Sequence, residues 1–130
     1  MEKDFGNFKI VVAADYEALS GLAAEIIAAQ INEKPDSVLG LATGATPVGT
    51  YSKLVAMHAA GGVDFSQVVC FNLDEYYPIK QANDQSYMYF MQDNLFGHVN
   101  ISQANVNIPN GEAADATAEC AAPWRPPSCR

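Results

Sequence analysis

Two short polar clusters in this chain hold residues whose types and spacing can do chemistry: Thr43-Gly44-Ala45-Thr46 and Asp74-Glu75. The first lies between an apolar run, Ser37 to Ala42, and a helical pattern opened by Pro47. A glycine at that junction lets a ligand approach the backbone closely, and the N–H groups of a first helical turn are free to donate to an anion. Thr43, Gly44, Ala45 and Thr46 therefore read either as a phosphate cradle or as a tight βα turn in which Thr46 caps the helix before Pro47. The cluster lacks the Gly-Lys-Ser/Thr ending of a Walker A loop and is not GxGxxG, so a nucleotide is not its natural ligand. In the second cluster a carboxylate pair follows directly on a buried strand. A strand's period of two sends Asp74 and Glu75 to opposite sides, so at most one of them faces a ligand cleft. A carboxylate at a partly desolvated strand end has its pKa raised towards neutrality and suits a general base. The plain alternative is a loop carboxylate that caps a helix or pairs with a lysine. Taken together, a cradle and a base at the ends of successive strands describe a site for a sugar phosphate.

The elements that must position these clusters follow from changes in hydrophobic period. Phe8 to Ala14 is a short β-branched run and reads as a buried strand. Asp15 can cap the helix after it, in which Leu19, Leu22, Ala23, Ile26, Ile27 and Ile31 recur at helical spacing until Lys34-Pro35. Ser37 to Ala42 is a second apolar strand, and the helix opened by Pro47 carries Tyr51, Leu54, Val55 and Met57 before Gly61-Gly62 stops it. Val68 to Leu73 makes a third strand, and a loop from Pro78 to Gln85 leads to a helix from Ser86 to Phe96 with Tyr87, Phe90, Met91 and Leu95 on one face. Apolar strands alternating with helices imply an α/β fold: a three-layer, Rossmann-like, mainly parallel sheet covered on both faces. In such folds ligands collect at the carboxyl ends of the strands, where both polar clusters fall.

Composition narrows the function further. The chain of 130 residues is 49% hydrophobic, enough for one domain with a core and too little for two. Seven Lys and Arg against fifteen Asp and Glu give a net charge of -8, which opposes binding to nucleic acid or to an anionic membrane surface. No apolar run reaches the roughly 20 residues needed to cross a bilayer, and Met1-Glu2-Lys3-Asp4-Phe5 lacks the pattern of a signal peptide, so a cytoplasmic protein is expected. Cys70, Cys120 and Cys129 are too few and too scattered for a disulfide framework or a CxxC metal site, and Cys70 reads as a small buried hydrophobe. His58 and His98 belong to no HxH or HxxxH pair, so no metal is expected.

Three stretches in order, Leu39 to Pro47, Phe71-Asn72-Leu73-Asp74-Glu75-Tyr76, and Gln85-Ser86-Tyr87 with Phe90-Met91 and Leu95-Phe96, resemble the N-terminal half of the glucosamine-6-phosphate deaminases. The resemblance runs from about Lys9 to Cys120. It implies a modified Rossmann-like fold and conversion of glucosamine 6-phosphate and water to fructose 6-phosphate and ammonia, with no metal or organic cofactor. It also implies that Asp74 moves a proton between C2 and C1 and that the Thr43 to Thr46 loop holds the phosphate. The related 6-phosphogluconolactonases share a similar threonine-glycine loop, and a lactonase-type hydrolase or a non-catalytic sugar-phosphate-binding module is the alternative reading. The family's ring-opening group, a histidine in a stretch resembling Gly-His-Ile-Gly-Phe-Asn-Glu, has no counterpart in these 130 residues.

The last ten residues depart from the pattern. Residues 1–120 read as the N-terminal part of a sugar-phosphate isomerase or deaminase domain, and 121–130 as a tail in which three prolines forbid a helix. Both arginines of the chain lie in that tail, and the abrupt change of composition suggests an out-of-frame reading or a premature end. A partial sheet of this kind leaves one edge bare, for which a homo-oligomer is one outcome.

Overall fold

The computed structural model describes residues 2–4, 6 and 9–122. Three strands, β3 (Val38–Leu41), β4 (Val69–Asn72) and β5 (Val106–Asn107), form a parallel sheet in the order β3-β4-β5, so the expected α/β class with parallel strands is observed. Ahead of them, β1 (Glu2–Asp4) and β2 (Lys9–Val11) pair antiparallel in a sheet of their own. The buried strand expected over Phe8 to Ala14 is corrected on this point. Phe8 lies outside the described residues, and among those described Lys9–Val11 is the strand, exposed along its length and paired with β1.

Helices fill the connections. α1 (Tyr16–Glu33) starts where expected, with the Asp15 carboxylate accepting from the Ala18 N–H at 2.8 Å. α2 (Ala45–Ala59) ends in a turn in which Gly61 holds φ of +77° and the Gly62 N–H donates to the Met57 carbonyl at 2.8 Å. α3 (Tyr87–Asn94) is capped by the Ser86 hydroxyl, which accepts from the Tyr89 N–H, and a single 3-10 turn, Phe96–His98, follows it. A short α4 (Ala116–Ala121) is capped by Asp115. The last eight residues of the chain, which carry most of the proline-rich tail, lie outside the described residues.

The core joins Ile31, Leu41, Tyr51, Leu54, Phe65, Val68, Cys70, Met91 and Leu95, drawn from α1, the sheet, α2 and α3. Burying side chains of this size contributes about 1.5–3 kcal/mol each. α1 reaches this core on a face rotated from the expected one, which keeps Ile27 and Ile31 of the expected residues against the core. Ser20, Ala24, Ala28 and Ile31 are buried, whereas Leu19, Leu22 and Ile26 are exposed, Ile26 by 68%. The reason lies in the close contact between α1 and α2. A Cβ on Gly49 would stand 2.4 Å from Ser20 Oγ and 2.9 Å from the Tyr16 ring, so only small residues fit where the two helices meet. Among the described residues no helix is long and apolar enough to cross a membrane.

Candidate functional site

The parallel register pairs Leu41 with Asn72, so the chain leaves β3 into Ala42, Thr43 and Gly44 beside the point where it leaves β4 into Leu73, Asp74 and Glu75. Two side chains lock these strand ends together. Asn72, buried, donates from Nδ2 to the Leu41 carbonyl at 2.8 Å, and the Tyr51 hydroxyl donates to the Ala42 carbonyl. Burial pushes the Tyr51 phenol well above its ordinary range, which keeps it a donor at any physiological pH.

Gly44 is the capping position of α2, with φ of 98° and ψ of -179°. That combination belongs almost wholly to glycine. A Cβ added at Gly44 would meet nothing within 4 Å, so backbone conformation rather than space demands glycine there. Thr46 is therefore not the cap of the helix, as one reading of the sequence had it. It sits inside the first turn, after Ala45 and before Pro47. The first-turn N–H groups of Ala45 and Thr46 have no intrahelical acceptor, and no side chain caps them, which leaves two donors free at the helix start. The turn is pinned from behind. The Tyr16 hydroxyl accepts from the Gly49 N–H at 2.8 Å and lies 3.1 Å from the carbonyls of Ala45 and Thr46.

Asp74 and Glu75 divide as the period-two argument requires. Glu75 turns inward: its Oε1 accepts from the N–H groups of Tyr76 at 2.9 Å and Tyr87 at 2.8 Å, and its Oε2 from Met88 at 3.0 Å. It thus binds the start of α3, which is the helix-capping alternative weighed for a carboxylate here. Asp74 is exposed, not partly desolvated as the sequence suggested. The loop after Asp74 is held on its far side as well. The Ile79 N–H donates to the Gly111 carbonyl at 2.8 Å, and a Cβ on Gly111 would come within 2.8 Å of the carbonyls of both Tyr76 and Ile79.

A residue that the sequence placed on an apolar helix face and in the third of the resembling stretches packs against the loop that follows Asp74. The Tyr87 ring packs on Tyr76 with centroids 4.9 Å apart, and their hydroxyls are 3.3 Å apart. The Tyr87 phenol is pushed up, first by its hydrogen bond to Tyr76 and then by desolvation. The signal in the sequence was the tyrosine pair bracketing the loop, Tyr76 and Tyr87, at a strand end and a helix start.

The histidines serve the fold. His58 Nδ1 donates to the Val63 carbonyl at 2.9 Å, and His98 Nε2 donates to the Asp93 carbonyl at 2.7 Å. Cys70 is fully buried, as expected, and burial pushes its thiol up to about 12, whereas Cys120 is exposed.

A family profile described as glucosamine-6-phosphate isomerases/6-phosphogluconolactonase matches residues 13–125, which take in both strand-end loops. The chain belongs to this family. It is 56% identical over 112 residues to a glucosamine-6-phosphate deaminase of Clostridioides difficile (strain 630), covering 86% of this chain and 45% of that one. A deaminase of Thermoanaerobacter sp. (strain X514) is 52% identical over 112 residues, which cover 86% of this chain and 44% of that one. Among solved structures, a monomeric glucosamine-6-phosphate deaminase superposes with a TM-score of 0.81 at 44% identity, covering 84% of this chain and 45% of that chain. A 6-phosphogluconolactonase from Thermotoga maritima superposes with a TM-score of 0.66 at 19% identity, over 86% of this chain and 49% of that one, and shows the shared fold alone. The chain spans about half the length of the curated relatives it matches.

Proposed function

We propose that this chain carries the substrate-holding and proton-transferring part of a glucosamine-6-phosphate deaminase, which converts glucosamine 6-phosphate and water to fructose 6-phosphate and ammonia. The observation that carries the reading is the register of β3 on β4, which sets the open first turn of α2 beside Asp74. In this reading Thr43, Gly44, Ala45 and Thr46 receive the phosphate through the Thr43 hydroxyl and the N–H groups that Gly44 frees. Asp74 then takes the proton from C2 of the open-chain sugar and returns it to C1, work that one carboxylate above the sugar can perform. Glu75 holds the loop and does not react.

Identity favours the deaminase over the lactonase reading, at 56% and 52% to named deaminases against 19% to the lactonase structure. Residues 1–120 are the part assigned to this domain, with a cytoplasmic setting and a small-molecule sugar phosphate as partner. Ring opening calls for a second acid–base group near O5, so the 130-residue chain by itself is expected to release little or no ammonia.

The test joins residues 1–120 to the part of the Clostridioides difficile relative that follows its matched segment and measures ammonia release from glucosamine 6-phosphate. Asp74→Asn keeps size and hydrogen bonding but removes the base, so turnover falls by at least about a hundredfold while fructose 6-phosphate still binds. Full activity in Asp74→Asn places the base elsewhere. Turnover of 6-phosphogluconolactone instead of the amino sugar favours the lactonase reading.

A further inference from the structure

Of the nine asparagines in the chain, Asn110 is the one followed by glycine. A side chain on the following residue shields that residue's backbone nitrogen, and with Gly111 there the nitrogen can close on Cγ of the Asn110 amide. The turn holds the pair ready for such an attack. Asn110 Oδ1 accepts from the Glu112 N–H at 2.9 Å, the Asn110 carbonyl accepts from the Ala113 N–H at 3.1 Å, and the Asn110 N–H donates to Glu119 Oε1 at 2.8 Å. The Glu112 N–H therefore faces the oxygen on which negative charge gathers when a nucleophile adds to Cγ, as a donor in an oxyanion hole does. Among the described residues the Gly111 N–H has no hydrogen-bond acceptor, so giving up its proton breaks no bond of the turn.

Gly111 is also the residue that pins the loop after Asp74. Its carbonyl accepts from the Ile79 N–H at 2.8 Å. A Cβ on it would lie 2.5 Å from Ile79 Cγ2, 2.7 Å from the Tyr76 carbonyl oxygen and 2.8 Å from the Ile79 carbonyl oxygen. The packing at Gly111 has no room for an added carbon.

We propose that Asn110-Gly111 is a site of spontaneous deamidation whose isoaspartyl product releases the loop that follows Asp74. The Gly111 nitrogen attacks Cγ of Asn110. The N–Cγ bond forms, the Cγ–Nδ2 bond breaks, and ammonia leaves with the proton that Gly111 gives up, which closes a succinimide. Water then opens the ring. Addition at Cγ gives aspartate, whereas addition at the former backbone carbonyl gives isoaspartate, in which the chain runs through Cγ and gains a carbon. That carbon displaces Gly111 from its tight seat against Tyr76 and Ile79, and the hydrogen bond from the Ile79 N–H is lost. The inference rests on the geometry of this turn and holds whatever ligand the strand-end loops receive.

Ageing the purified 130-residue chain at mildly alkaline pH tests the chemistry, read by site-resolved mass spectrometry that separates aspartate from isoaspartate. Asn110 is expected to convert at least about tenfold faster than any other asparagine, because its attacking nitrogen is both unshielded and held near Cγ. Amide hydrogen exchange tests the consequence. Ile79 is expected to exchange at least about tenfold faster in the isoaspartyl chain than in the fresh one, while Asn110→Asp, which has the charge without the added carbon, keeps the slow rate. Asn110 that survives as long as the other asparagines overturns the proposal. So does equal exchange at Ile79 in fresh and aged chains, or an Asn110→Asp chain that already exchanges at the aged rate.

Discussion

The Glu75 carboxylate accepts the Tyr87 backbone N–H at 2.8 Å and so ties the end of β4 to the start of α3 across twelve residues of chain. This bond, with its neighbour at Met88, explains why the loop after Asp74 returns to the strand end it left. Two adjacent carboxylates thereby take separate tasks: one organises backbone and the other faces solvent at the candidate site.

Glu75→Ala removes the acceptor for two first-turn N–H groups of α3 and is expected to destabilise the chain by about 1 kcal/mol, within the range for loss of a helix cap. Denaturant unfolding measures it. Asp74→Asn, at an exposed position with no such duty, is expected to leave the midpoint unchanged within about 0.5 kcal/mol.

The contact between α1 and α2 is expected to be sensitive to a single methyl group. Gly49→Ala brings a Cβ against Ser20 Oγ and the Tyr16 ring, both of which must shift. Overpacking of this kind costs about 1–3 kcal/mol. Tyr16→Phe is a gentler probe, since it keeps the ring but leaves the Gly49 N–H without its acceptor. Its expected signature is weaker binding of fructose 6-phosphate, by calorimetry, with a loss of stability of about 1 kcal/mol.

Cysteine chemistry separates the buried thiol from the exposed one. Burial lifts Cys70 from about 9 to about 12, so at pH 8 it stays protonated and enclosed while Cys120 is open to reagent. Site-resolved mass spectrometry after iodoacetamide treatment of the native chain is expected to show Cys70 labelled at least about a hundredfold more slowly than Cys120. The linkage has a definite sign. The unfolded thiol loses its proton first, so this group costs the fold stability progressively as pH rises from about 9 to about 12.

Much of this arrangement was legible in the sequence because the signals were local. Asp15 before a helical pattern located α1, Pro47 placed the start of α2 two residues late while Gly44 marked its junction with the strand, and the apolar run ending at Asp74 located the carboxyl end of β4. Periodicity failed where two answers shared one period. α1 carries both a large-residue stripe and a small-residue stripe, and helix–helix closeness at Gly49 selects the small one, a choice made by the partner and not by α1 itself. β2 failed for a related reason: its apolar run matches a buried strand, but among the described residues it pairs with β1 and is exposed along its length. The tasks of Glu75 and Tyr87 depend on how the loop from Tyr76 to Ser86 folds back, which no local pattern encodes.

A single site for a sugar phosphate, formed by the Thr43 to Thr46 loop and Asp74, has a direct signature in solution. Titration of the 15N-labelled chain with fructose 6-phosphate, followed by amide chemical shifts, tests it most directly. Shifts are expected to concentrate at residues 43–49 and 72–76, to be absent with unphosphorylated fructose, and to be weakened at least about tenfold in affinity by Gly44→Val, whose side chain disfavours the φ of 98° at the start of α2. Shifts clustered elsewhere on the chain, or binding equally strong in Gly44→Val, would contradict it.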